Sequence, residues 1–127
     1  MAQHLSHQQL VAIANEFGTP VYIYHAERIA EQYGKLQHAF KNCNARFFFA
    51  CKSLTNVSVL KYINSLGAAI DCVSINEVKL ALMAGFKTSD ILYTPNCVDF
   101  EEILAAKELG VNINIDNISI LEQFGNK

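Results

Sequence analysis

The sequence predicts an α/β fold built on a parallel sheet. Three observations lead there. Helix-like and strand-like patterns alternate along the chain, helix patterns stop at Gly18, Gly67, Gly85 and Gly110, and strand ends recur about every twenty residues, a usual βα repeat with short loops. Alternation of this kind argues for parallel strands joined by right-handed crossovers.

The first helix is signalled by Ser6 with Gln9, a capping-box pattern, followed by Leu10, Ile13, Ala14 and Phe17 at helical spacing. Thr19-Pro20 then imposes an extended backbone, and Val21-Tyr22-Ile23-Tyr24 has the aromatic and β-branched content of a strand. The second helix places Ile29, Tyr33, Leu36 and Phe40 on an apolar face, with Glu27, Arg28, Glu31 and Lys35 turned to water. Asn42, Asn44 and Ala45 connect it to Phe47-Phe48-Phe49-Ala50-Cys51-Lys52-Ser53. This aromatic and apolar run, polar on both flanks, predicts a strand buried on both faces, with Lys52 where it leaves the core.

The pattern then repeats in architecture. Residues 56–66 put Val59, Leu60, Ile63 and Leu66 on one helical face, and Ala68-Ala69-Ile70-Asp71-Cys72-Val73 is the next strand. Ser74 caps a helix with Val78, Ala81 and Leu82 facing inward, ahead of the strand Ile91-Leu92-Tyr93-Thr94 and a turn at Pro95-Asn96. Asp99 with Glu102 starts a further helix through Ile103 and Leu104 to Leu109. Val111-Asn112-Ile113-Asn114-Ile115 alternates as a strand, and Asp116-Asn117 opens a last helix with Ile118, Leu121 and Phe124.

Composition narrows the function. With 127 residues, 51% hydrophobic and 17% charged, the chain suits one globular domain. A net charge of -2 without a basic cluster leaves no footprint for nucleic acid or an anionic membrane. No apolar run approaches the roughly 18 residues of a spanning helix, and Met1-Ala2-Gln3-His4 lacks a signal-peptide pattern, so a cytoplasmic location is expected. Cys43, Cys51, Cys72 and Cys97 form no Cys-x-x-Cys pair and have no histidine at ligand spacing, so reduced thiols and no metal site are expected. Cys51 and Cys72 read as small buried hydrophobes. His4, His7, His25 and His38 fall on surface segments or helix ends without a catalytic partner.

Ligands on parallel sheets bind at the carboxyl ends of the strands, where Lys52, Asp71, Ser74, Asn96 and Asp116 fall. No Gly-x-Gly-x-x-Gly or Walker sequence follows a strand. Crowded by three phenylalanines, Lys52 would be poorly hydrated and nucleophilic; alternatively it snorkels to water as an ordinary strand-end lysine. Asp71 and Glu77 are carboxylates that could hold such an amine in place. Asp71 could equally bond a backbone amide, and Glu77 could complete a capping box with Ser74.

The segments Phe17-Gly18-Thr19-Pro20-Val21-Tyr22-Ile23-Tyr24, Phe49-Ala50-Cys51-Lys52-Ser53, Gly67-Ala68-Ala69-Ile70-Asp71-Cys72-Val73-Ser74-Ile75-Asn76-Glu77 and Asn114-Ile115-Asp116 stand in a telling order and spacing. In them the chain resembles the pyridoxal-phosphate decarboxylases related to alanine racemase, and among these the diaminopimelate decarboxylases. Ser53-Leu54-Thr55-Asn56 does not match the Gly- and His-containing segment of the alanine racemases themselves.

The resemblance implies a PLP-binding TIM (β/α)8 barrel of the alanine racemase-like type. A whole barrel takes about 250 residues, so the chain would hold about its first half: a leading helix and strand in 1–24, then a helix and about four βα units in 25–127. It implies that Lys52 holds pyridoxal 5'-phosphate and acts in catalysis, with Asp71 and Glu77 beside the cofactor. The implied reaction is decarboxylation of meso-diaminopimelate to lysine in a homodimeric enzyme of lysine biosynthesis. Alternatives are a sister decarboxylase of ornithine, arginine or carboxynorspermidine, a non-catalytic PLP-binding barrel protein, and a small α/β interaction domain without cofactor. The rest of the barrel, the C-terminal β-domain, the phosphate loop and the substrate-binding residues are expected outside these 127 residues, which alone should be inactive.

Overall fold

The structure, a computed structural model, describes residues 5–126. Met1-Ala2-Gln3-His4, the segment that bears on a signal peptide, lies outside the described residues. The chain divides into two compact units, Met1–Cys43 and Asn44–Lys127.

The first unit holds α1 (His7–Phe17) and α2 (Ala26–Ala39). The capping box forms as the sequence predicts: the Ser6 hydroxyl accepts the Gln9 N–H at 3.3 Å, and the Gln9 side chain accepts the Ser6 N–H at 2.8 Å. Gly18 ends α1 at φ +80°, a backbone region that suits glycine. Two expectations fail in this unit. Val21-Tyr22-Ile23-Tyr24 is not a strand. Strand-like composition needs a neighbouring strand to take its backbone N–H and C=O groups, and the four-stranded sheet does not include this segment. Glu31 is not turned to water: its side chain is half-buried between Arg28 and Lys35, 2.8 Å from each. Spacings of three and four residues stack these groups on one helical stripe.

The second unit carries β1 (Phe48–Ala50), α3 (Val57–Ser65), β2 (Ala69–Cys72), α4 (Ile75–Met83), β3 (Ile91–Tyr93), α5 (Phe100–Glu108), β4 (Asn112–Ile113) and α6 (Ile118–Gly125). All neighbouring strands pair in parallel, in the order β1-β2-β3-β4, with Ala50 opposite Asp71 and Cys72 opposite Tyr93. Helices between consecutive strands supply the crossovers that parallel pairing requires. Their starts are set by side chains: Asn56 accepts from the Ser58 and Val59 N–H groups, Ser74 from Glu77 and Asn117 from Ile120.

Leu60, Ile70, Val78, Ile91 and Tyr93 are fully buried, and Val59, Ile63, Ala81, Ile103 and Ala106 complete the faces that α3, α4 and α5 contribute to the core. Each fully buried aliphatic side chain contributes about 1.5–3 kcal/mol relative to exposure. Leu66 and Leu82, predicted inward, are only half-buried, and Ile118 and Leu121 of α6 are exposed.

The aromatic run departs most from expectation. Only Phe48–Ala50 is strand, Cys51–Ser53 forms a short 3-10 turn, and Phe48 is exposed. β1 is an edge strand with a neighbour on one side only, so burial on both faces does not follow from its composition. No helix among the described residues is long and apolar enough to cross a membrane.

Candidate functional site

Chemistry-bearing residues gather at the carboxyl ends of β1 and β2. The turn after β1 is closed by the Leu54 N–H donating to the Cys51 carbonyl at 3.0 Å and by the Ser53 hydroxyl donating to the Ala50 carbonyl at 2.7 Å. This turn takes Lys52 out of the strand's alternation. Lys52 is exposed to solvent, so the poor hydration expected from the three phenylalanines is not found. Among the described residues no ion pair joins it to Asp71 or Glu77. Its amine is therefore open to a ligand.

Asp71 lies within β2, half-buried, and its Oδ1 accepts the Thr94 hydroxyl at 2.7 Å. That contact replaces the backbone amide considered as its partner. Thr94 is reached because Asp71 stands opposite Leu92 in the parallel register, and positions two apart share one face of a strand. Glu77 sits in the first turn of α4. The Ser74 hydroxyl accepts its N–H at 3.3 Å, but its own Oε2 accepts the N–H of Val73 at 2.8 Å rather than that of the cap residue. The capping role is thus real in a shifted form, and it aims the carboxylate back at the end of β2.

Between these carboxylates lie two fully buried thiols. Burial, followed by neighbouring charge, pushes both above the usual thiol range, and Glu77 is the stronger carboxylate influence on each. One donor atom from each of Cys51, Cys72 and Glu77 lies within 4.8 Å of the others. Sequence reading missed this grouping. The signal was present: Cys51 and Cys72 are one βα repeat apart, and the register Ala50 to Asp71 brings the next residues side by side.

Ser74, Asn96 and Asp116 fall at the same ends of the sheet, as expected, but serve local structure. Ser74 caps α4, Asn96 accepts the Cys97 thiol at 3.1 Å, and Asp116 accepts the Asn117 amide at 3.2 Å. A second residue missed by sequence reading is Glu102. Expected to help start α5 beside Asp99, it accepts the Tyr93 hydroxyl at 2.8 Å and the Ile75 N–H at 2.9 Å, while Asp99 makes no side-chain cap. Glu102 thereby ties α5 to β3 and to the start of α4, just behind Glu77.

Comparison with known proteins places this arrangement in context. The sequence profile of the pyridoxal-binding domain of pyridoxal-dependent decarboxylases matches residues 26–127. A diaminopimelate decarboxylase of Methanothermobacter thermautotrophicus is 44% identical over 113 residues, which cover 87% of this chain and 26% of that protein. The Escherichia coli K12 diaminopimelate decarboxylase is 30% identical over 125 residues, 95% of this chain and 29% of its own length. The chain thus spans under a third of these relatives. Among solved structures, diaminopimelate decarboxylase of M. jannaschii in complex with L-lysine superposes with a TM-score of 0.80 at 27% identity, covering 91% of this chain and 30% of that one. Lysine/ornithine decarboxylase of Vibrio vulnificus with putrescine gives 0.85 at 26% identity, covering 96% and 34%.

Proposed function

The chain belongs to the pyridoxal-dependent decarboxylases, and we propose from that premise that it supplies the lysine end of a cofactor site, Lys52, to an enzyme that converts meso-diaminopimelate to lysine. Its fold is α/β, part of the PLP-binding barrel of the alanine racemase-like type. The observation that carries the reading is an exposed amine just past the end of β1, in no ion pair among the described residues, inside the stretch that matches the pyridoxal-binding domain.

The donor set fits the aldehyde end of pyridoxal 5'-phosphate. Lys52 Nζ is a primary amine of the kind that would bond an aldehyde carbon, and Asp71 and Glu77, each fixed by a hydrogen bond, would add negative charge near the end of β2. When bound, the pyridine ring supplies an electron sink for the pair left behind as the substrate carboxylate departs. Lys52 would hold a proton at Nζ and return it to the substrate carbon. Thr94 keeps Asp71 from rotating out of the site.

A sister activity has one specific observation in its favour, the TM-score of 0.85 to a lysine/ornithine decarboxylase. The 44% identity to a diaminopimelate decarboxylase favours the first reading. A homodimer in the cytoplasm, binding an amino acid and neither nucleic acid nor membrane, completes the proposal.

The test is borohydride reduction of the protein with pyridoxal 5'-phosphate, followed by peptide mapping. Label on Lys52 is expected, and label on another lysine instead would refute the assignment. Lys52→Arg, whose guanidinium stays charged, should lose turnover by about 10²–10⁴-fold.

A further inference from the structure

We propose that Cys51, Cys72 and Glu77 form a binding site for one thiophilic divalent cation of the zinc class, set behind the strand ends that carry Lys52 and Asp71. Nothing in the decarboxylation chemistry uses these two thiols.

The geometry is that of a site one small adjustment from closure. The three donor atoms lie within 4.8 Å of one another. Two sulfurs about 2.3 Å from a tetrahedral zinc stand about 3.8 Å apart, so modest side-chain rotations bring the set onto a metal. The ligands come from three separate elements: the turn after β1, the end of β2 and the first turn of α4. Parallel pairing holds the first two side by side.

Glu77 is already anchored. One carboxylate oxygen, Oε2, accepts the Val73 N–H, a backbone bond that fixes the side chain while Oε1 is available to a cation. Such a supporting bond is what well-formed metal sites place behind a ligand. The two sulfurs are fully buried whereas Glu77 is only partly so, and the cation would arrive past the carboxylate. Two thiolates and a carboxylate are a soft, anionic set that selects zinc or cadmium over magnesium or calcium. Three protein ligands leave a fourth position to water. On binding, each thiol gives up its proton to solvent as its metal–sulfur bond forms.

The experiment uses the native full-length protein, reduced, with cadmium as the probe and the ultraviolet thiolate-to-cadmium absorption as the readout. One equivalent per chain is expected, displaced by zinc only in excess because cadmium is the softer ion. The double variant Cys43→Ala/Cys97→Ala, which removes the two exposed thiols, should bind unchanged. Cys51→Ala and Cys72→Ala should each weaken binding by about 100-fold or more, because loss of a ligand exceeds the 10–100-fold effect of losing an outer-shell partner, and Glu77→Gln by about 10-fold or more. The inference is overturned if the native protein shows no band, if the band disappears with Cys43 and Cys97, or if a folded Cys51→Ala or Cys72→Ala protein keeps it at full strength.

Should the core variants not fold, the native protein decides. In mild urea, where Cys43, Cys51, Cys72 and Cys97 all alkylate without metal, zinc should protect Cys51 and Cys72 selectively. Protection of Cys43 and Cys97 instead, or of none, overturns the site. No pyridoxal signal enters these readouts, so they stand apart from the assignment of Lys52.

Discussion

Lys52 is a strand-end lysine whose surroundings differ from those its sequence neighbours suggest. It lies at the end of β1 as the sequence predicts, but it faces water rather than aromatic rings. The reactivity toward an aldehyde proposed for it therefore does not rest on desolvation by those rings. Its neighbour Cys51 and the opposed Cys72 behave otherwise: burial raises both thiols above the ordinary value of 9.0. The folded chain then holds these protons more tightly than the unfolded one, so their contribution to stability is complete below pH 9.0 and is lost as pH rises beyond it. The urea midpoint should fall between pH 8 and about 10, and fall less steeply in Cys72→Ala. Tyr93, raised by burial and then by its bond to Glu102, adds a loss of the same sign in more alkaline solution. Tyr93→Phe leaves Glu102 with the Ile75 N–H alone and should cost about 1–3 kcal/mol, read as a lower urea midpoint at unchanged slope.

Among the elements, the helices of the second unit are determined by their first turns. Asn56 satisfies two otherwise unpaired N–H groups of α3, at 3.0 and 3.2 Å. Asn56→Ala should therefore destabilise the chain by about 1 kcal/mol, measured by urea or thermal unfolding. Because α3 connects β1 to β2, local fraying at its start should appear as faster amide exchange at Val57–Leu60 before global unfolding is affected. Strands obey a different rule. β1 and β4 are edges, β4 only two residues long, and Tyr22 in the strand-like segment of the first unit is 88% exposed. What separates them from the central strands is a neighbour, not composition.

For the whole molecule, the unpaired edges of the second unit and the apolar side chains exposed in each unit decide how these 127 residues behave in isolation. Phe17 and Tyr22 in the first unit and Ile118 in α6 of the second are more than two-thirds exposed. Open parallel edges and exposed apolar surface favour association. Produced alone, the 127 residues should elute larger than a 14.1 kDa monomer and bind a hydrophobic dye. They should release no carbon dioxide from meso-diaminopimelate with pyridoxal 5'-phosphate added, since they span under a third of the decarboxylases they match.

Local signals in the sequence determined the capping box at Ser6 and Gln9, the stops at Gly18, Gly67, Gly85 and Gly110, the alternation that makes a parallel α/β sheet, the lysine at a strand end and the resemblance to the decarboxylases. Each is a matter of spacing within a few residues or of a short motif. Tertiary structure alone decided that 21–24 finds no partner strand among the described residues, that β1 is an edge with Lys52 in water, that Glu102 bonds Tyr93, and that Cys51, Cys72 and Glu77 converge. Hydration, pairing and convergence depend on which element lies alongside, and that neighbour exists only once register and crossovers have brought distant segments together.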